Sequence, residues 1–134
     1  MLEKTVREMG LDSKMKFTGK VSDEDMAAIV RESWVNIHCS VSEGWCLSAM
    51  EAAATGIPTV AYRVPGISNS VVDNQTGLLA ADGDLMVLSD LVMETIKSSR
   101  ERFSINCREH AIKYSWEKTA TEWEAKLKTA SELT

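Results

Sequence analysis

The sequence predicts an α/β fold with a parallel sheet. Short apolar runs such as Trp34-Val35-Asn36-Ile37-His38-Cys39 and Thr59-Val60-Ala61-Tyr62 read as strands, and segments of helical spacing lie between them. Strands that alternate with helices in this way form parallel sheets covered on both faces. The length of 134 residues, with 44% apolar and 26% charged residues, suits one globular domain with a buried core.

The elements follow in order. Leu2, Val6 and Met9 share one helical face, and Gly10-Leu11 stops that helix. Met15-Lys16-Phe17-Thr18-Gly19 alternates and reads as a short strand. Ser22 caps the next helix, Asp25 returns the bond and Val21 staples to Met26, so the helix runs to about Ser33. The Trp34–Cys39 strand comes next. Leu47 to Thr55 is a helix of small residues, closed by Gly56, and Pro58 forbids its continuation. The Thr59–Tyr62 strand leads into the loop Val64-Pro65-Gly66, a short helix from Ile67 to Val72 and the turn Asp73-Asn74-Gln75-Thr76-Gly77. Leu78-Leu79-Ala80 is the last of about four strands. From Asp84 the pattern is helical to about residue 131. Leu85, Leu88, Leu91, Val92 and Ile96 make one apolar stripe, a second helix spans Arg100 to Lys113, and Ser115 caps a third. Trp116 and Trp123 are expected to anchor these last helices to the core.

Composition narrows the function. The net charge is −5, with no basic run and no interleaving of basic and aromatic residues, which argues against nucleic acid as a partner. No apolar run is long enough to span a membrane, and residues 1–9 lack the apolar core of a signal peptide. Cys39, Cys46 and Cys107 are an odd set without a CxxC pair, which favours free thiols in a reducing, cytoplasmic compartment over a disulfide frame or a zinc site.

The chemistry concentrates in Ser40-Val41-Ser42-Glu43-Gly44-Trp45-Cys46-Leu47-Ser48-Ala49-Met50-Glu51. Ligands of parallel sheets bind at the carboxyl ends of strands, beside helix N-termini, and this stretch joins such a strand to such a helix. The backbone of Gly44 to Leu47 turns into a helix N-terminus, whose unpaired N–H groups suit a phosphate. Gly44 lets a ligand approach the backbone closely. Glu43 precedes the cradle and Glu51 follows it, and a helical span of eight residues would be ~12 Å, the scale of an extended sugar-diphosphate-nucleoside. Carboxylates accept only, so a pair of them suits a ligand with hydroxyls at both ends. The spacing alone carries nothing, because Glu24/Glu32, Glu101/Glu109, Glu109/Glu117 and Glu124/Glu132 repeat it. The setting between strand, glycine loop and helix distinguishes Glu43 and Glu51.

Ser40-x-x-Glu43-Gly44-Trp45-x-Leu47-x-x-x-Glu51-Ala52-x-Ala54-x-Gly56-x-Pro58-x-Val60 resembles the signature of the retaining GT-B glycosyltransferases of family 4, group 1. Phe17-Thr18-Gly19, the run from Val64-Pro65-Gly66 to Thr76-Gly77-Leu78-Leu79, and Tyr114-Ser115-Trp116 extend the resemblance over nearly the whole chain. It implies a Rossmann-like three-layer sheet, the C-terminal donor half of a two-domain enzyme. It further implies that Glu43, Gly44, Trp45 and Cys46 bind the donor sugar, that Cys46, Leu47 and Ser48 hold the diphosphate, that Glu51 binds the ribose, and that the base lies around Lys20 and Val21. The donor is a UDP- or GDP-linked sugar acting as substrate, and neither a cofactor nor a metal is expected. The family usually has glycine in place of Cys46, whose Cβ would stand toward sugar or phosphate, and an acidic residue in place of Asn69.

The resemblance also implies an earlier strand-helix-strand carrying an arginine and a lysine, and an N-terminal acceptor domain, none of which lies in these residues. The isolated chain is therefore expected to be inactive, and the parent enzyme to be cytoplasmic or peripheral to a membrane. Without the earlier strands the Val35–Cys39 strand has an uncovered edge, so rearranged pairing or a homodimer is expected to cover it. Among the other candidates, His38 reads as a satisfied core histidine, Trp45 as a packing residue that shapes the loop, and Asp23-Glu24-Asp25 as compensation of a helix dipole. A non-catalytic Rossmann-like interaction module and part of a GT-B-like sugar-nucleotide epimerase are the alternative functions.

Overall fold

The computed structural model describes residues 1–99 and 101–131. Arg100, expected to open the second late helix, and Glu132 lie outside the described residues. Three apolar runs make the sheet: β1 (Asn36–His38), β2 (Thr59–Tyr62) and β3 (Gly77–Ala80). All pairing is parallel in the order β1-β2-β3, with Ile37 opposite Val60 and Val60 opposite Leu78. Every residue of β2 and β3 is buried. Successive strand side chains point to opposite faces, so the burial of both Val60 and Ala61 means that both faces of the central strand are covered.

The helices are α1 (Leu2–Glu8), α2 (Asp23–Glu32), α3 (Leu47–Thr55), α4 (Ile67–Ser70), α5 (Leu85–Lys97), α6 (Glu101–Ile112) and α7 (Trp116–Ser131). Ser22 caps α2 as its sequence predicts, with Oγ accepting from the Asp25 amide at 3.1 Å. Asp84 caps α5 in the same way, through the Val87 amide at 3.0 Å. Gly56 ends α3 in the left-handed conformation at φ 84°, where a side chain is unfavourable. Arg108 of α6 completes that end by donating to the Thr55 carbonyl at 3.2 Å. α6 packs along α3, while α5 packs on β2 and β3. The core joins Ala49 and Ala53 of α3 with Val60, Ala61, Ile67, Leu78, Leu88, Phe103 and Cys107.

Several expectations are corrected. Met15 to Gly19 forms no strand, and Met15 and Phe17 are exposed, so the sheet has three strands rather than about four. Alternation alone does not make a strand where no neighbour is present to pair with it. The Trp34–Cys39 strand shortens to Asn36–His38, with Trp34 and Ile37 exposed. Its pairing is not rearranged: it lies in register on β2, and its other edge meets no strand among the described residues. In α5, Leu88 and Thr95 are buried and Leu91 and Val92 partly so, but Leu85 and Ile96 of the expected stripe are exposed. Trp116 and Trp123 do not anchor α7; they are 83% and 61% exposed.

Candidate functional site

The loop from Ser40 to Cys46 leaves the carboxyl end of β1 and enters α3. Its first anchor is a close approach. The backbone of Gly66, in the loop after β2, runs so near that a Cβ there would lie 2.0 Å from the Glu43 carbonyl oxygen. The second anchor is aromatic. The rings of Trp45 and Tyr114 lie 4.9 Å apart at 55°, and Tyr114 meets His110 edge-on at 5.2 Å. His110 in turn donates from Nε2 to the Ser70 carbonyl at 3.1 Å, because a carbonyl can only accept. Burial lowers the His110 pKa from its usual value, with the Ser70 contact opposing and nearby Lys113 adding to the shift. Trp45 thus packs and shapes the loop, as its sequence position suggests.

The amides of Gly44, Trp45, Cys46, Leu47 and Ser48 donate to no protein acceptor among the described residues. α3 has no side-chain cap and no acidic residue in its first turn, so its N-terminal partial positive charge is left uncompensated. α2 differs, with the Ser22 cap and Asp23, Glu24 and Asp25 in its first turn. The space beside Gly44 is open: a Cβ built there meets nothing within 4 Å.

Cys46 corrects an expectation. The residue as a whole is 2% exposed, and its side chain belongs to the core and lies 3.4 Å from the Ser48 hydroxyl. The thiol therefore does not stand in the open face of the loop. Cys107 is also buried, and burial pushes its thiol up to about 12, while Cys39 is exposed; all three are free. On α3, Ala49, Met50, Ala52 and Ala53 face the core, and Leu47, Ser48, Glu51 and Ala54 form the exposed face. Glu51 thus follows the unpaired amides on the outer side of the same helix.

Glu43 is half-buried and its Oε1 lies 3.8 Å from Nε2 of His38, the last residue of β1. The expectation of a core position for His38 is corrected by its exposure: its side chain is 22% exposed and lies outside the core cluster, although its Nδ1 accepts from the Ser40 amide. Sequence spacing held one signal for the pair, since a strand-ending histidine five residues before a loop carboxylate can meet it if the loop folds back. Gly66 and Tyr114 had no such local signal. Lys20 and Val21 lie before α2, where Val21 lines a cavity of about 360 Å³ with Phe17, Asp25 and Ile29. That cavity shares no lining residue with the 43–51 loop. Among the described residues no group of three or more His, Cys, Asp or Glu gathers as a metal site would need.

This fold and loop have known counterparts. The model of the family described as glycosyl transferases group 1 matches residues 1–114. The chain belongs to that family. A D-inositol 3-phosphate glycosyltransferase of Corynebacterium efficiens is 34% identical over 117 residues, covering 86% of this chain and 28% of that protein. The sucrose-phosphate synthase of Thermosynechococcus elongatus superposes with a TM-score of 0.89 at 26% identity, over 99% of this chain and 34% of that one. A Staphylococcus aureus TarM mutant solved with UDP superposes at 0.81 with 22% identity, over 92% of this chain and 26% of that one. The architecture is that of the C-terminal Rossmann-like domain of GT-B glycosyltransferases. The group 1 chain described here spans about a third or less of the length of these relatives.

Proposed function

We propose that these residues form the nucleotide-sugar donor site of a retaining glycosyltransferase. The observation that carries this reading is the run of five amides, Gly44 to Ser48, without protein acceptors at an uncompensated helix N-terminus. In this reading the amides of Cys46, Leu47 and Ser48 take the diphosphate. Glu43, with the backbone of Gly44, Trp45 and Cys46, takes the hydroxyls of the sugar in the open space beside Gly44. Glu51 takes the ribose hydroxyls, and the base extends toward Lys20 and Val21.

The chemistry follows from where charge develops. Breaking the bond between sugar and diphosphate leaves negative charge on the leaving group. Fixed N–H donors and a helix dipole aimed at that charge stabilise it without reorganisation. A single helix N-terminus supplies only ~0.3–2 kcal/mol for an anion. The arginine and lysine implied by the family signature, and the acceptor domain, are not among these residues. Transfer by the whole protein, and cover for the free edge of β1 by a second copy or another domain, belong to this proposal.

Calorimetry with UDP- and GDP-sugars tests it, and UDP-linked donors come first because UDP is bound in the TarM structure. The wild-type chain is expected to bind weakly, and Glu51→Ala to weaken binding at least about tenfold through lost hydrogen bonds to a charged acceptor. Absence of any binding by wild type would remove the donor site from these residues.

A further inference from the structure

We propose that His38 is a positioning residue that sets the Glu43 carboxylate for a donor-sugar hydroxyl, an inference that rests on the donor-site reading above. The Ser40 amide donates to Nδ1 of His38 at 3.5 Å. An amide N–H can only donate, so Nδ1 keeps its lone pair and the neutral ring carries its proton on Nε2. That proton faces Glu43, whose Oε1 lies 3.8 Å from Nε2. The contact is longer than a hydrogen bond and acts as an electrostatic attraction between the Nε2–H and the carboxylate. A carboxylate has two oxygens. With one turned to the imidazole, the other is left to accept from a hydroxyl in the space beside Gly44.

The surroundings fit this role better than a packing role. His38 ends an edge strand, its side chain is 22% exposed, and it is not part of the core cluster. Its backbone is fixed by pairing with Ala61 of β2, so the ring stands on the rigid sheet rather than on the loop. Gly66, in the loop after the same strand β2, holds the Glu43 backbone by its close approach. Backbone and side chain of Glu43 are thus located by separate contacts, both referred to β2.

The test is calorimetry on the 134-residue chain with UDP-glucose and GDP-mannose, with UDP and GDP as references. His38→Phe keeps an aromatic ring, somewhat larger than imidazole, and removes the donor. It is expected to weaken nucleotide-sugar binding about fivefold while leaving nucleotide diphosphate binding unchanged. His38→Gln, whose amide can reach toward Glu43, is expected to recover most of the loss. In a Glu43→Gln background His38→Phe is expected to add nothing further. Equal losses for sugar and diphosphate ligands, no loss at all, or additive losses would overturn the positioning role. Wild type that binds neither class of ligand sinks the donor-site reading instead. The pair is then decided by imidazole ¹⁵N shifts at pH 8, where a ring protonated on Nδ1 overturns it.

Discussion

Gly66 shows how much one missing methyl group can decide. Its φ is +83°, a region that L side chains rarely adopt, and its would-be Cβ overlaps the Glu43 carbonyl. Gly66→Ala combines positive-φ backbone strain of ~1–2 kcal/mol with overpacking of ~1–3 kcal/mol. It is expected to destabilise the fold by about 2–5 kcal/mol in urea unfolding, and a loss below ~1 kcal/mol would mean that the two loops do not press on each other. Gly44 is the opposite case, since the fold leaves open space beside it. Both glycines are visible in the sequence, but only Gly44 could be given its reason there. Gly66 acts on a residue far away in the chain, and no local pattern encodes that contact. The same holds for Cys46. Its place in the signature pointed toward a ligand, whereas its side chain turns into the core.

At the level of elements, helix ends were the most legible features, because capping is settled within four residues. Ser22, Gly56, Asp84 and Ser115 all do what their positions indicate, Ser115 accepting from the Lys118 amide at 3.3 Å. β2 and β3 were legible for a different reason: both faces are covered, so nearly continuous apolar runs specify them. Met15 to Gly19 was not legible, since a strand exists only with a neighbour and sequence alternation does not supply one. α7 was misread because tryptophan normally seeks cover. Trp116, Trp123 and Leu127 fall on one stripe, and all three are exposed. From residue 117 to 130 only Thr119 is even half-buried. A chain ending at Ser115 is therefore expected to melt within about 4 °C of the full chain, a change below ~1 kcal/mol. A drop of about 10 °C would show that α7 supports the core.

For the whole molecule, the sheet is closed over β2 and β3 and open along β1, and stability rests on the closed part. His110 ties α6 to α4 there, through the Ser70 carbonyl. Its pKa is lowered by burial from the usual 6.5, so the unfolded chain takes up the extra proton first. The associated stability is full above pH 6.5 and is lost as pH falls from there toward the folded value. The urea midpoint should fall between pH 7.5 and 5.5, and His110→Gln, which can still donate to Ser70, should fall less steeply. Equal slopes would place the acid sensitivity elsewhere. The contact at the other end of this chain of rings has a use of its own. Of the four tryptophans, Trp34, Trp116 and Trp123 are exposed, and Trp45 alone is sheltered, against Tyr114. The blue edge of the protein's fluorescence, the part an aqueous quencher reaches last, therefore comes from the candidate cradle, and the chain carries its own optical reporter at the site in question.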